Sequence, residues 1–144
     1  MHEPEGTPAA ITIQRRIEWS DTDASGHYHN TAAFRMLEFA ETALYDSLGF
    51  LEDVYGRVPR AHVEAEFEAV LEHRDLVDIT LTVERVGRTS VTHAVEIRRA
   101  GEICVRARFT CVLTRDGRPE AWPDDYRRAL LTAGAQPPER LVTG

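Results

Sequence analysis

The sequence has no lysine, only two cysteines and no long apolar run. All 17 basic residues are arginine, and 24 acidic residues give a formal net charge of −7 at pH 7. We expect no general binding of nucleic acid by a chain this acidic. No stretch reaches the roughly 20 apolar residues that a membrane-spanning helix needs, and no apolar leader follows Met1. The sequence therefore predicts a protein that contacts neither nucleic acid nor membrane.

The two cysteines predict a reducing compartment. Cys104 and Cys111 are seven positions apart on one predicted strand, which places them about 23 Å apart along it. A disulfide cannot span that distance. Because unpaired thiols are typical of proteins that are kept reduced, we expect a cytoplasmic location.

Several catalytic signatures are also missing. The sequence contains no G-x-S-x-G elbow, no P-loop and no glycine-rich dinucleotide fingerprint. It has six histidines but neither H-E-x-x-H nor C-x-x-C. His27 and His29 could form a zinc site with other histidines, but their spacing fits no common zinc motif. We therefore expect no metal and no cofactor.

Apolar and polar residues alternate in five segments of the chain. This period of two predicts strands at residues 11–19, 61–69, 77–83, 89–99 and 103–113. Between the first two strands, a helical pattern runs from Thr31 to Leu48, with Asn30 as its N-cap and Gly49 as its stop. A second, shorter helix is predicted from Pro123 to about Ala133.

The order of these elements predicts an α+β protein. Short turns between the last four strands favour antiparallel neighbours. The long helix is apolar on several sides, so a sheet of five antiparallel strands is expected to wrap around it. We expect one domain over residues 1–144, with its core at residues 11–133 and loose termini, including a polar tail over residues 1–10.

The stretch before the long helix holds the candidate chemistry. Residues 21–30 read D-T-D-A-S-G-H-Y-H-N. A helix start presents unpaired backbone N–H groups and a partial positive charge. Such groups polarise a carbonyl, while a nearby carboxylate such as Asp23 attacks it or activates water. From the residues alone, Asp21 and Asp23 are equally well explained as Asx-turns that lead into the helix.

This stretch, with the T-A-A-F-R-M-L-E-F-A-E that follows it, resembles the signature of hotdog-fold acyl-CoA thioesterases, in particular the 4-hydroxybenzoyl-CoA thioesterase-like family. The matching residues are Asp23, Gly26, His27, Asn30, Phe34 and Glu38. The order of the elements agrees over nearly the whole chain. His29 departs from the family pattern, in which many members carry tyrosine or asparagine, and this affects the expected shape of the acyl pocket.

The resemblance implies a hotdog fold and hydrolysis of an acyl-CoA to a free carboxylic acid and coenzyme A. In the family, the residue that matches Asp23 is the nucleophile or general base, and the backbone N–H at Asn30 faces the thioester oxygen. His27 is expected to position the loop or the substrate, and Gly26 and His29 to line the substrate site. Family members form dimers with shared sites, often paired into tetramers, so we expect a homodimer or homotetramer.

The resemblance also implies a contact with coenzyme A at the turn after the third strand. Arg88 and Ser90 occupy positions where relatives often place basic and hydroxyl residues against the phosphates. A solvated hairpin explains the same residues at least as well.

Two other functions stay open. One is a hotdog hydratase or dehydratase, although the D-x-N-P-x-H loop of those enzymes is absent. The other is a module that binds acyl thioesters without turnover.

Overall fold

The computed structural model describes residues 6–25 and 30–141. In this part of the chain the strands are β1 (Thr7–Arg16), β2 (Arg60–Phe67), β3 (Leu76–Val86), β4 (Ser90–Arg99), β5 (Glu102–Val112), β6 (Thr114–Arg115), β7 (Arg118–Pro119) and β8 (Ala133–Ala135). The helices are α1 (Asn30–Leu48), α2 (Leu51–Val54) and α3 (Asp124–Thr132), and a 3-10 turn spans Trp19–Asp21. The chain is therefore an α+β protein, as its pattern predicts. None of these helices is long and apolar enough to cross a membrane.

Six of the described strands form one sheet in the order β2-β5-β4-β3-β1-β8. The first five are antiparallel to their neighbours, whereas β8 lies parallel to β1. The sheet thus has six strands rather than the five predicted. Ala133–Ala135 is too short to show an alternation of apolar and polar residues. It pairs with β1 because α3 brings the chain back to that strand. The short helix α2 also forms where the sequence predicts no element, between α1 and β2.

Both ends of the described chain are more ordered than predicted. Residues 1–10 were expected to be a loose tail, but Thr7–Ala10 is the beginning of β1, and Ala9 is fully buried. The extended backbone is stable there because it has partners on both sides: Ala10 pairs with Thr82 of β3 and with Ala135 of β8. The prediction of loose termini is therefore wrong for residues 7–10 and 134–135.

α1 packs against the sheet through one apolar face. Leu37, Ala40 and Leu44 are fully buried, and their spacing places them on one side of a helix. They share a core with inward side chains of the sheet such as Ile13, and burial of one such leucine contributes about 2 kcal/mol. The helix ends at Gly49, where φ is +89° and the N–H bonds to carbonyls of the last turn. The helix begins one residue before the predicted start and ends where predicted.

The two edges of the sheet differ. On the β1 side, the chain after β8 covers the edge: Glu139 N–H donates to Thr12 O at 3.0 Å, and Gln14 N–H donates to Glu139 O at 2.8 Å. On the other side, β2 pairs with β5 alone within the described residues. Phe67 of β2 lies opposite the buried Val105 and so faces inward, yet it is 43% exposed. An uncovered edge with an apolar inner face favours pairing with another chain.

Candidate active site

The segment that carries Asp23 is anchored by Asp21. After β1 the chain makes the 3-10 turn, and the Asp21 side chain at its end is 1% exposed. It accepts a hydrogen bond from Glu18 N–H at 2.9 Å and forms an ion pair with Arg35 of α1. A buried carboxylate is stable only with such partners. The Asp21–Arg35 pair therefore ties this segment to the early turns of α1.

Asp23 itself is exposed. Its Oδ1 accepts a hydrogen bond from the backbone N–H of Ser25 at 2.9 Å, and another from the Ser25 hydroxyl. This local arrangement is the Asx-turn that the residue type favours. The turn orients the carboxylate and leaves it accessible to solvent, so the structural explanation of Asp23 and a chemical role are compatible.

A cavity of about 340 Å³ lies between the 3-10 turn and the first turn of α1. Ser20 and Thr22 line it from one side, and Thr31 and Arg35 from the other. α1 starts at Asn30, which is exposed and is the first helical residue rather than the residue before the helix. The backbone N–H groups of this first turn carry the partial positive charge of the helix start. The chain next to Asp23 and the start of α1 therefore meet at one cavity.

The other predicted site residues are not all brought together. Gly26, His27 and His29 lie outside the described residues, so their roles stay predictions. Arg88 and Ser90 lie at the hairpin between β3 and β4. The first residue of β3 pairs with the last residue of β1, and β3 then runs away for 11 residues, or about 36 Å. Within a single chain, this hairpin and Asp23 therefore lie at opposite ends of the sheet.

A buried polar cluster lies farther along α1. The Tyr45 hydroxyl donates to Glu41 Oε2 at 3.3 Å and lies 2.8 Å from His93 Nε2. The same hydroxyl is 3.6 Å from Cys111 Sγ, and Arg60 Nη1 donates to Glu41 Oε1 at 3.3 Å. His93 Nδ1, the other ring nitrogen, is buried and has no hydrogen-bond partner among the described residues. The cluster thus joins α1 to three strands of the sheet.

Burial determines the protonation of this cluster. Desolvation, followed by the nearby positive charge of Arg60, lowers the pKa of His93 to about 3, so its ring is neutral and its 3.9 Å approach to Glu41 is no ion pair. Desolvation raises the pKa of Glu41, although Arg60 opposes that effect. Desolvation also raises the pKa of Cys111 to about 12 and the pKa of Tyr45 well above its usual value. The thiol and the phenol are therefore uncharged at neutral pH.

The cluster contains metal-ligand atoms but is filled by a hydroxyl group. The ligand atoms of Glu41, His93 and Cys111 all lie within 4.8 Å of one another, and these residue types bind zinc in other proteins. However, the Tyr45 hydroxyl is within 2.8–3.6 Å of all three. A metal ion bound among the three ligands would have to displace it. The residues fit a hydrogen-bonded cluster better than a metal site.

Sequence reasoning gave little indication of this cluster. His93 is in phase with Val91 and Val95 on β4, and all three are buried. The alternation of His93 with these two valines is the one signal in the sequence that a polar side chain lies in the core. Glu41 and Tyr45 flank the apolar stripe of α1, and nothing in the sequence indicates which strand they meet.

Comparisons with known proteins agree with this architecture. The model of the thioesterase-like superfamily matches residues 17–130. A predicted thioesterase from Bacillus stearothermophilus is 27% identical with a TM-score of 0.76, over 84% of this chain and 93% of that one. A thioesterase from Thermus thermophilus, complexed with coenzyme A and Zn, is 21% identical with a TM-score of 0.75, over 83% of this chain and 90% of that one. A 1,4-dihydroxy-2-naphthoyl-CoA thioesterase from Synechocystis is 21% identical with a TM-score of 0.72, over 84% and 95%. No curated protein matches.

The structural similarities show a shared fold, the hotdog arrangement of a curved sheet around a long helix. The superfamily match begins just after β1, ends within α3 and includes the candidate site at Asp23 and Asn30. The chain therefore belongs to the thioesterase-like superfamily and is a thioester hydrolase.

Proposed function

We propose that the protein hydrolyses acyl-CoA thioesters to a free carboxylic acid and coenzyme A, with Asp23 as the reacting carboxylate. The proposal depends on one observation: Asp23 is exposed on a segment that the buried Asp21–Arg35 pair ties to α1. That anchoring limits where the carboxylate can move relative to the helix start near Asn30. A carboxylate and a set of polarised N–H groups held in this way suit attack on a carbonyl.

In the proposed mechanism, backbone N–H groups near Asn30 donate to the thioester oxygen and stabilise the negative charge that develops there. The Asp23 carboxylate either attacks the carbonyl carbon or removes a proton from a water molecule that attacks it. The C–S bond then breaks, and coenzyme A takes up a proton and leaves as the thiol. Direct attack forms an anhydride that water cleaves in a second step, so both routes consume one water molecule.

We further propose a dimer, alone or paired into a tetramer, as the working unit. The uncovered edge of β2 and the exposed Phe67 support this proposal. A second copy paired antiparallel along β2 runs in the opposite direction, so its β3–β4 hairpin points toward the Asp23 end of the first copy. Arg88 and Ser90 of one copy could then contact the coenzyme A phosphates at the site of the other. This arrangement accounts for their separation from Asp23 within one chain.

The cysteines bear on where the reaction takes place. Cys104 and Cys111 are both free and buried. Free thiols are typical of a reducing compartment, which supports the proposed cytoplasmic location.

Thiol release from a panel of acyl-CoAs of graded length, aryl ones included, tests the proposed function. We expect at least one thioester to be hydrolysed, with equal amounts of free acid and coenzyme A. Tight binding of acyl-CoA without thiol release would instead favour a binding module. Hydration of a crotonyl thioester without thiol release would favour the hydratase alternative.

A further inference from the structure

A second cavity, of about 550 Å³, lies between the middle of α1 and the chain around Arg60. Glu38, Glu41 and Tyr45 line it from α1. Helical spacing places these three residues on the same side of α1 as Phe34, which is nearer the helix start and is 42% exposed. One side of α1 therefore leads from the helix N-terminus to this cavity.

Glu41 provides the hydrogen-bond acceptor at the bottom of the cavity. Its carboxylate receives hydrogen bonds of 3.3 Å from Arg60 and from Tyr45, and the Cys111 thiol is a third hydrogen-bond partner. An ionised carboxylate offers about four acceptor positions, so Glu41 has capacity for another donor. Burial raises its pKa because the charged form is poorly solvated there. A donor on a ligand would compensate part of that lost solvation.

The charges that line the cavity favour a donor over an anion. The charged lining residues are Glu38, Glu41 and Arg60. One terminal nitrogen of Arg60 is already bonded to Glu41. The other has no hydrogen-bond partner among the described residues, but it is buried and so is not exposed to a ligand in the cavity. Two acids against one base leave a net negative charge, which repels a carboxylate and attracts a hydroxyl or amino group.

The position of the cavity along α1 sets the length of a matching ligand. Asn30 is eight positions before Glu38 and 11 positions before Glu41. The cavity therefore begins roughly 12 Å from the helix start, and Glu41 lies roughly 16 Å from it. A single aromatic ring does not span this distance from a thioester bound at the helix start, whereas an extended acyl chain of medium length does.

We propose that this cavity receives the far end of the acyl group, and that Glu41 selects medium-length acyl groups with a hydroxyl or amino group at that end. The inference rests on the proposed acyl-CoA hydrolysis. Glu41 accepts a hydrogen bond from the distal group and takes no part in breaking the C–S bond, so it determines specificity and not the chemical step.

The test compares kcat/KM of thiol release for three acyl groups of equal length: decanoyl-CoA, ω-hydroxydecanoyl-CoA and ω-carboxynonanoyl-CoA. The wild type should prefer the hydroxyl over the methyl end by on the order of tenfold, and should use the carboxylate least well. Glu41→Gln keeps the shape but removes the charge, so the preference for the hydroxyl over the methyl end should fall by about tenfold. Glu52→Gln, on α2 and outside the cavity, is the matched control and should leave the ratios unchanged.

Equal rates for the hydroxyl and methyl ends, or a preference for the carboxylate, would overturn the inference. Unchanged ratios in Glu41→Gln would overturn it as well. The wild-type comparison decides the question even if Glu41→Gln does not fold. Hydrolysis of decanoyl-CoA without preference for the hydroxyl rejects this inference alone, whereas absence of hydrolysis across the whole panel rejects the proposed function with it.

Discussion

Replacing His93 with leucine should reduce the dependence of stability on pH. The imidazole is fully buried, and burial is the largest cause of its low pKa. In the unfolded chain the same ring is solvated and binds a proton at its ordinary pKa. Folding therefore excludes a proton that the unfolded chain takes up in mild acid, and this difference makes the free energy of unfolding depend on pH.

The sign and size of the effect follow from the two pKa values of His93, 6.5 when solvated and about 3 when folded. Because the folded pKa is lowered, the stability linked to His93 is fully present above pH 6.5 and is lost as the pH falls toward 3. Between pH 7 and pH 5 the loss is about 2 kcal/mol, and the whole interval allows at most about 5 kcal/mol. Glu41 has the opposite sign, since its raised pKa gives stability that is lost as the pH rises through that raised value.

Urea denaturation at pH 7, 6 and 5 measures this linkage. The wild type should lose about 2 kcal/mol more than His93→Leu over the interval, although the variant is less stable at every pH because Tyr45 loses a partner. His62→Leu, which removes an exposed imidazole on β2, is the matched control. Repeating the measurement on the wild type and His93→Leu, each with Glu41→Gln added, removes the opposing titration of Glu41.

If the free energy of unfolding changes with pH by the same amount in the wild type and in His93→Leu, this reasoning is refuted. A second readout does not need the variant. The NMR signals of the His93 ring should remain those of a neutral imidazole down to pH 5, and a titration near pH 6.5 would show that the ring is solvated.

Three further outcomes are expected. The wild type should be at least dimeric at micromolar concentration in light scattering. Phe67→Lys places a charge on the exposed inner face of β2, so it should shift the protein toward monomer and lower thiol release. An active wild type that is monomeric would contradict the shared site. Arg35→Met leaves the buried Asp21 carboxylate without its cation and should lower the free energy of unfolding by about 2 kcal/mol in urea; no change would show that the pair contributes nothing. Prolonged chelation should leave kcat unchanged, and a loss restored by zinc would argue for a metal site.

Local pattern predicted the elements whose stability is decided by their own residues. The alternation of β4 and the apolar stripe of α1 both gave boundaries within one residue of the structure. Gly49 ended the helix as predicted, because a positive φ suits glycine at that position. The Asx-turn at Asp23 was also readable from residue type, since the bond to Ser25 is local.

The remaining features depend on contacts between distant parts of the chain. Ala133–Ala135 becomes a strand only because β1 offers it an edge. Tyr45 meets His93 and Cys111 across 48 and 66 positions of sequence, so the buried cluster has no local signature. The second cavity depends on the same long-range packing around Arg60. These interactions arise from the topology of the sheet, which residue spacing alone does not determine.

The most direct measurement of the central claim is the pH profile of thiol release for the wild type, Asp23→Asn and His27→Ala. Asp23→Asn keeps the size and much of the turn hydrogen bonding but removes the anion, so kcat should fall by a factor of about 10² or more, while folding and acyl-CoA binding persist. Wild-type activity should decline only below about pH 5, where an ordinary aspartate becomes protonated. Near-wild-type turnover by Asp23→Asn would contradict the proposed mechanism, and loss of activity in His27→Ala alone would assign the chemistry to the imidazole.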